Sequence, residues 1–223
     1  MSKKFFVQAI SKFSLGVILV GLLVFWPAGT FDYWQGWLFM GILFIPMFCA
    51  GLVMMAKNPA LLKSRLDAKE KQREQDMVIK LSGLMFLAGF IVAGLNYRFA
   101  RFVLPKAVSI GAAIAFLASY LIYAEVLREN SYLSRTIQVQ ENQTVVDTGL
   151  YGIVRHPMYS ATLILFLSMP LILGSLQAFV IFLAYPLIIS KRIKHEEVFL
   201  EQELAGYREY KAKVKYRLLP FIW

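Results

Sequence analysis

The strongest constraint on this chain is residues 157–190, a run without a single Asp, Glu, Lys or Arg. As one straight helix at about 1.5 Å per residue, the run would far overshoot a hydrocarbon core of roughly 30 Å. Pro170 and Gly174 interrupt its middle. The run therefore predicts a helical hairpin of two short spans. Its turn, "PLILGS", has no charge to hold it in water, so the tip lies shallow in the far leaflet. Four further apolar runs, 12–27, 34–56, 78–97 and 105–127, are each long enough to cross hydrocarbon. None alternates apolar and polar residues, which excludes a membrane barrel. With 58% hydrophobic residues, the chain reads as an all-α, polytopic transmembrane protein of about five to six spans, including the C-terminal hairpin. It forms one domain, 1–223.

Lys3 and Lys4 precede an apolar stretch that ends near "WPAGT", as in a signal peptide. A second apolar run follows at once, so 12–27 reads as an uncleaved first span. An even number of spans places both ends on one side. The N-terminus, the 57–80 and 128–157 loops and the C-terminal tail hold most of the Lys and Arg, against Arg98, Arg101 and Lys106 opposite. Both ends are therefore expected in the cytoplasm. The net charge of +10 then suits anionic lipid headgroups, with no nucleic-acid partner. The charged 57–80 loop reads as a solvated connector near those headgroups. Cys49, the only cysteine, rules out an intrachain disulfide and a cysteine metal cluster. His156 and His195 make no metal-ligand spacing, so no metal site is expected.

Four polar stretches meet on the cytoplasmic face. In "GLYGIVRHPMYS", Pro157 suits a first helical position and holds His156 extended. A helix N-terminus there favours an anion. The stretch is either the wall of a site or an interfacial anchor, with Arg155 snorkelling and Tyr151 and Tyr159 in an aromatic belt. In "KRIKHEEVFL", Arg192 and Glu196 share a helix face, in the less favourable order for an ion pair. Glu196 is suited to a ligand ammonium, whereas Glu197 falls on a neighbouring face and is expected in solvent. "TIQVQENQTVVDTGLYG" alternates β-formers with polar residues and reads as extended chain closing in a turn. The final "YREYKAKVKYRLLPFIW" reads as an amphipathic tail on the membrane surface.

Together, "TVVDTGLYGIVRHPMYSATL", "LGS", "RIKHEEVFL" and "GYREYKAKVKYRLLPFIW" resemble the isoprenylcysteine carboxyl methyltransferase family in its broad bacterial and archaeal form. The resemblance covers the last third of the chain well. "FWPAGTFDYWQGWLF" and "NPALLKSRL" are also similar to prokaryotic members. It implies an integral enzyme of a prokaryotic cell membrane that uses S-adenosylmethionine without a Rossmann fold. Consistently, the chain has no Gly-rich strand–helix fingerprint. By resemblance, 1–127 is the membrane-spanning part and 128–223 the cofactor-binding and catalytic part, with a cytoplasmic cofactor pocket. Gln143, Thr144, Val145 and Val146 match the extended donor-binding stretch, with Gln143 where eukaryotic members tend to carry His. Tyr151, then His156, Pro157, Met158 and Tyr159, match further donor contacts, and Gln140 is assigned to the family's upstream glutamine. Glu196 matches the acidic ligand of the donor. Arg192 matches the arginine that faces the methyl acceptor, and the pair is assigned to catalysis. The acceptor implied is lipophilic and reaches the site from the bilayer: most simply an isoprenylcysteine-like carboxylate, alternatively a phospholipid amine. A membrane NADPH-dependent reductase of the sterol or steroid kind shares an HPxY element and a similar tail, but Arg155 and the Glu196–Glu197 pair favour the methyltransferase. A transporter or scaffold is disfavoured because the spans carry few ionisable residues.

Overall fold

The computed structural model describes residues 3–57, 59, 62, 73–99, 103–133 and 139–223. Arg101, most of the 57–80 connector and positions 134–138 of the extended segment lie outside the described residues. The helices are α1 (Lys3–Ala28), α2 (Trp34–Lys57), α3 (Arg73–Arg98), α4 (Lys106–Glu129), α5 (Pro157–Ile172), α6 (Leu176–Phe182), α7 (Ala184–Glu203) and α8 (Tyr207–Lys213), with a 3-10 turn at Gly149–Gly152. There is no strand among the described residues, only an isolated bridge between Val103 and Ser175. Helices α1 to α4 and the nearly continuous α6–α7 stretch are long and apolar enough to cross a membrane, and α5 is a shorter apolar helix. The protein is thus an all-helical polytopic membrane protein.

Its side chains are sorted for a lipid solvent. Large apolar residues such as Leu121, Leu187 and Ile45 point outward, while Ser109, Ser119, Gln35 and Asn96 are buried. Hydrocarbon offers no hydrogen bonds, so polar groups must find partners inside. Ser109, Ala112, Phe116 and Ser119 recur at helical spacing on the buried face of α4. Ala161, Leu165, Ser168 and Ile172 do the same on α5. Small residues on both faces let these two helices pack closely. Helix α1 packs along α3 through Gly94, where an added Cβ would come within 2.6 Å of the Val24 carbonyl oxygen and 3.0 Å of the Ala28 nitrogen.

Three short connections meet at the end of the bundle away from the site described below. Tyr33 donates to the Leu173 carbonyl at 2.5 Å, and the Leu104 N–H donates to the Gly174 carbonyl at 3.0 Å. Tyr97 donates to the Asp32 carbonyl at 3.0 Å, and its ring stacks on Tyr33 at 4.1 Å. Ser109 donates to the Leu171 carbonyl at 3.2 Å. The expected hairpin is present, but its break is narrower than the sequence suggested. Pro170 sits within the last turn of α5, and the chain reverses at Gly174, whose φ is +71°. Only glycine takes that conformation without strain. Ser175 then caps α6 by accepting from the Ala178 N–H.

Gly94→Ala is expected to lower the melting temperature of the detergent-purified protein, since overpacking against backbone costs about 1–3 kcal/mol. Gly83, where an added Cβ meets nothing within 4 Å, is the control. Gly83→Ala is expected to leave the melting temperature unchanged or raise it. Equal effects of the two substitutions would contradict the close α1–α3 contact.

Candidate active site

Pro157 opens α5 at its first turn, as its fixed φ favours, and His156 before it is non-helical (φ −127°, ψ 61°). The N–H groups of Arg155 and His156 donate to the carbonyls of Tyr216 and Arg217 at 2.9 Å each. The final segment thus lies against the start of α5. Ser160, one turn into the helix, donates to the Leu218 carbonyl at 2.6 Å.

Behind this seam lies a buried ionic cluster centred on Glu197, which is 2% exposed. Arg155 donates through Nε to Glu197 Oε1 at 2.7 Å, and through its terminal nitrogen to the carbonyls of Val214 (2.6 Å) and Lys215 (2.8 Å). Arg217 donates to Glu197 Oε2 at 2.9 Å. His156 Nε2 lies 3.3 Å from Oε1, and Lys211 Nζ 3.8 Å from Oε2. One sequence expectation is overturned here, and one of two open alternatives is closed. Glu197 is not solvated, because it extends the buried stripe Tyr185, Ile189 and Ile193 by one more turn. Arg155 is not an interfacial anchor, because its guanidinium is spent on Glu197 and on the tail.

Glu196, one residue earlier, points elsewhere. Tyr159 donates its hydroxyl to Glu196 Oε2 at 2.6 Å and accepts from Arg192 Nε at 2.9 Å. Arg192 and Glu196, one helical turn apart on α7, are therefore joined through a residue of α5. Glu196 also lines the cavity.

The opposite wall comes from the loop. Gly149 has φ +50°, and the Glu129 carboxylate occupies the space a side chain there would need. Glu129 Oε2 accepts from the Leu150 N–H at 3.0 Å, which fixes the "DTGLYG" turn at the end of α4. Tyr151 enters from that turn. Its hydroxyl accepts from Asn130 Nδ2 at 3.0 Å, and its carbonyl accepts from the Tyr210 hydroxyl at 2.7 Å. Burial pushes the Tyr151 phenol up to about 12, so it stays neutral. Residues Gln143–Asp147 run without regular structure, and Lys213 of α8 holds Asp147 at 2.7 Å.

These walls enclose about 790 Å³, counted to the open mouth. Of the residues singled out by sequence, Gln143, Thr144, Val145, Val146, Tyr151, His156, Met158, Tyr159 and Glu196 line this one cavity. Pro157 is buried as the first residue of α5 and is not part of the lining, and Arg192 stands behind Tyr159. Gln140 does not line the cavity either: its side chain donates to the Tyr132 carbonyl at 2.7 Å and its N–H donates to Gln143 Oε1 at 2.9 Å, so it braces the loop. The tail supplies what sequence reading missed. Tyr207 and Tyr210, expected as ordinary membrane-surface residues, are buried and line the cavity. Their spacing with Val214 (i, i+3, i+7) marks the buried face of α8 and was readable as such.

A carboxylate, aromatic side chains and irregular loop backbone thus meet in one cavity of the helical bundle, with Arg192 one residue removed. Residues 111–202 match the sequence model of the isoprenylcysteine carboxyl methyltransferase (ICMT) family, which spans α4, the loop, the hairpin and the Glu196–Glu197 pair. Over those residues the chain is therefore similar to the membrane methyltransferases of that family. Comparison with curated proteins gives no match.

Glu197→Gln leaves the buried Arg155 and the half-buried Arg217 without their anion, a change that costs about 3–5 kcal/mol. The expected result is a sharp loss of monodisperse protein on size-exclusion chromatography, with no such loss for Glu196→Gln. Normal yield of Glu197→Gln would show that the cluster is not what holds the tail.

Proposed function

We propose that this protein is a membrane methyltransferase that uses S-adenosylmethionine and methylates a lipophilic carboxylate, such as an isoprenylcysteine-like C-terminal carboxyl. The observation that carries this reading is the Tyr159 hydroxyl, with Arg192 on one side and Glu196 on the other. It sets an anion for the donor and a cation for the acceptor a single hydroxyl apart. The residues present fit the donor. Glu196 suits its ammonium, the Gln143–Val146 backbone offers donors and acceptors to a purine, and Tyr151 and Met158 give aromatic and apolar surface. Residues 128–223 are then the donor-binding and reacting part, and 1–127 the membrane scaffold.

When bound, S-adenosylmethionine supplies a methyl group on a sulfonium, a leaving group that needs no acid. A carboxylate acceptor is already ionised at neutral pH, so no residue has to remove a proton. The protein's work is positioning and exclusion of water. Arg192 orients the acceptor carboxylate through directed N–H groups. Tyr159 holds Arg192 and Glu196 in fixed relation. An ammonium acceptor is disfavoured beside Arg192 because it must first lose a proton, and like charges repel. A nicotinamide cofactor would bring its phosphates against Glu196 while Arg155 is engaged by Glu197.

Purified protein given methyl-labelled S-adenosylmethionine and a total lipid and membrane-protein extract is expected to label a lipophilic carboxylate as a base-labile ester. Glu196→Gln is expected to weaken donor binding by about 10–100-fold, the scale of one charge-assisted hydrogen bond. Arg192→Ala is expected to keep donor binding within about threefold while transfer is lost. Thermal stabilisation by NADPH and not by S-adenosylmethionine would reject this reading in favour of a reductase.

A water-soluble donor requires the cavity mouth to face the cytoplasm, as the distribution of basic residues also favours. In a Cys49→Ser background, a cysteine replacing the exposed Glu209 is expected to resist an impermeant maleimide until the membrane is opened. Labelling in intact cells would reverse the orientation.

A further inference from the structure

Tyr207 stands apart among the cavity-lining residues. It is 4% exposed, and its hydroxyl is buried with no hydrogen-bond partner among the described residues. Gln35 and Asn96 also bury a side-chain oxygen with no partner among the described residues, but neither residue lines the cavity. A buried phenol without a partner carries a desolvation cost, and native structures rarely leave one in place without a reason. The neighbouring Tyr210 shows the ordinary solution, donating to the Tyr151 carbonyl at 2.7 Å.

We propose that the Tyr207 hydroxyl is a ligand contact of this cavity, donating to the α-carboxylate of the bound methyl donor. This inference rests on the function proposed above. Tyr207 lies at the N-terminus of α8, where Gly206 takes φ +82° and turns the chain back from α7 toward the loop wall. Glu197, Glu196 and Arg155 are all close enough to act on it electrostatically. Burial, then the two carboxylates, push its phenol well above the ordinary tyrosine value, so it remains a protonated donor. Its natural partner is therefore an acceptor on the ligand. An α-amino acid offers one beside its ammonium, because the carboxylate and ammonium share a single carbon. A ligand whose ammonium sits on Glu196 thus presents its carboxylate to the groups next to Glu196. Tyr207 is there, in the same wall. Tyr207 and Glu196 together read a zwitterion, which distinguishes the intact donor from adenosine fragments.

The test is calorimetric titration of wild-type and Tyr207→Phe protein, in the same detergent, with S-adenosylhomocysteine and with its decarboxylated analogue. Tyr207→Phe is expected to weaken S-adenosylhomocysteine about tenfold and to bind the decarboxylated analogue within about twofold of wild type. The unliganded variant is expected to melt no lower than wild type, because an unsatisfied hydroxyl has been removed. S-adenosylhomocysteine affinity within about twofold of wild type, or equal losses for both ligands, would overturn the assignment and leave the hydroxyl to an internal water. Wild-type protein alone gives a second check: discrimination between the two ligands below about threefold also overturns it. If wild-type protein binds neither ligand, the proposed function falls first and this inference falls with it.

Discussion

The site depends on the ionic contacts of Glu197. This one buried carboxylate takes Arg155 from the start of α5 and Arg217 from the tail, with His156 and Lys211 alongside. Three segments distant in sequence converge on it. An isolated charge at that depth is prohibitive, and pairing with two guanidiniums is what makes the burial tolerable. Such a cluster is weak evidence for added stability. Its use is geometric, since there is one arrangement of α5, α7 and the tail in which every charge has a partner.

That fixed frame explains how adjacent glutamates come to have unlike surroundings. Successive residues on a helix are separated by about 100°. Glu197 continues the inward stripe of α7, and Glu196 turns to the cavity and to Tyr159. The buried cluster immobilises His156 and the N-terminus of α5, which in turn places Tyr159 between Arg192 and Glu196. The residues that line the cavity and the residues that position them are therefore interleaved in sequence and separated in space.

Much of this was legible in the sequence because lipid imposes simple rules. Run length and absence of charge gave the spans, and Gly174 gave the hairpin, whose turn depends on a positive φ. The cavity-lining stretches from Gln143 to Tyr159 were legible as motifs. The misreadings share one cause. Glu197 and Tyr210 were assigned to water or to the membrane surface by residue type, and Arg155 was left open between anchor and site wall, on the expectation that charge and phenol groups seek solvent. Their partners lie roughly 20 to 60 positions away along the chain, too far for local spacing to reveal. Periodicity was the better guide, since Tyr185, Ile189, Ile193 and Glu197 keep strict i, i+4 spacing. Gln140 failed differently: its amide serves the Tyr132 carbonyl, a purely local brace that no motif announces.

The joined turns at the far end have a mechanical consequence. Tyr33, Tyr97, Leu104 and Ser109 tie the α1–α2, α3–α4 and α5–α6 connections together there. Rods pinned at a common fulcrum move most at their free ends. An acyl or isoprenoid chain wedged between the helices would splay them like the ribs of a fan, widest near Arg192 and scarcely at all at Gly174. The pinned end thus directs any give in the bundle toward the end that carries Arg192 and the cavity.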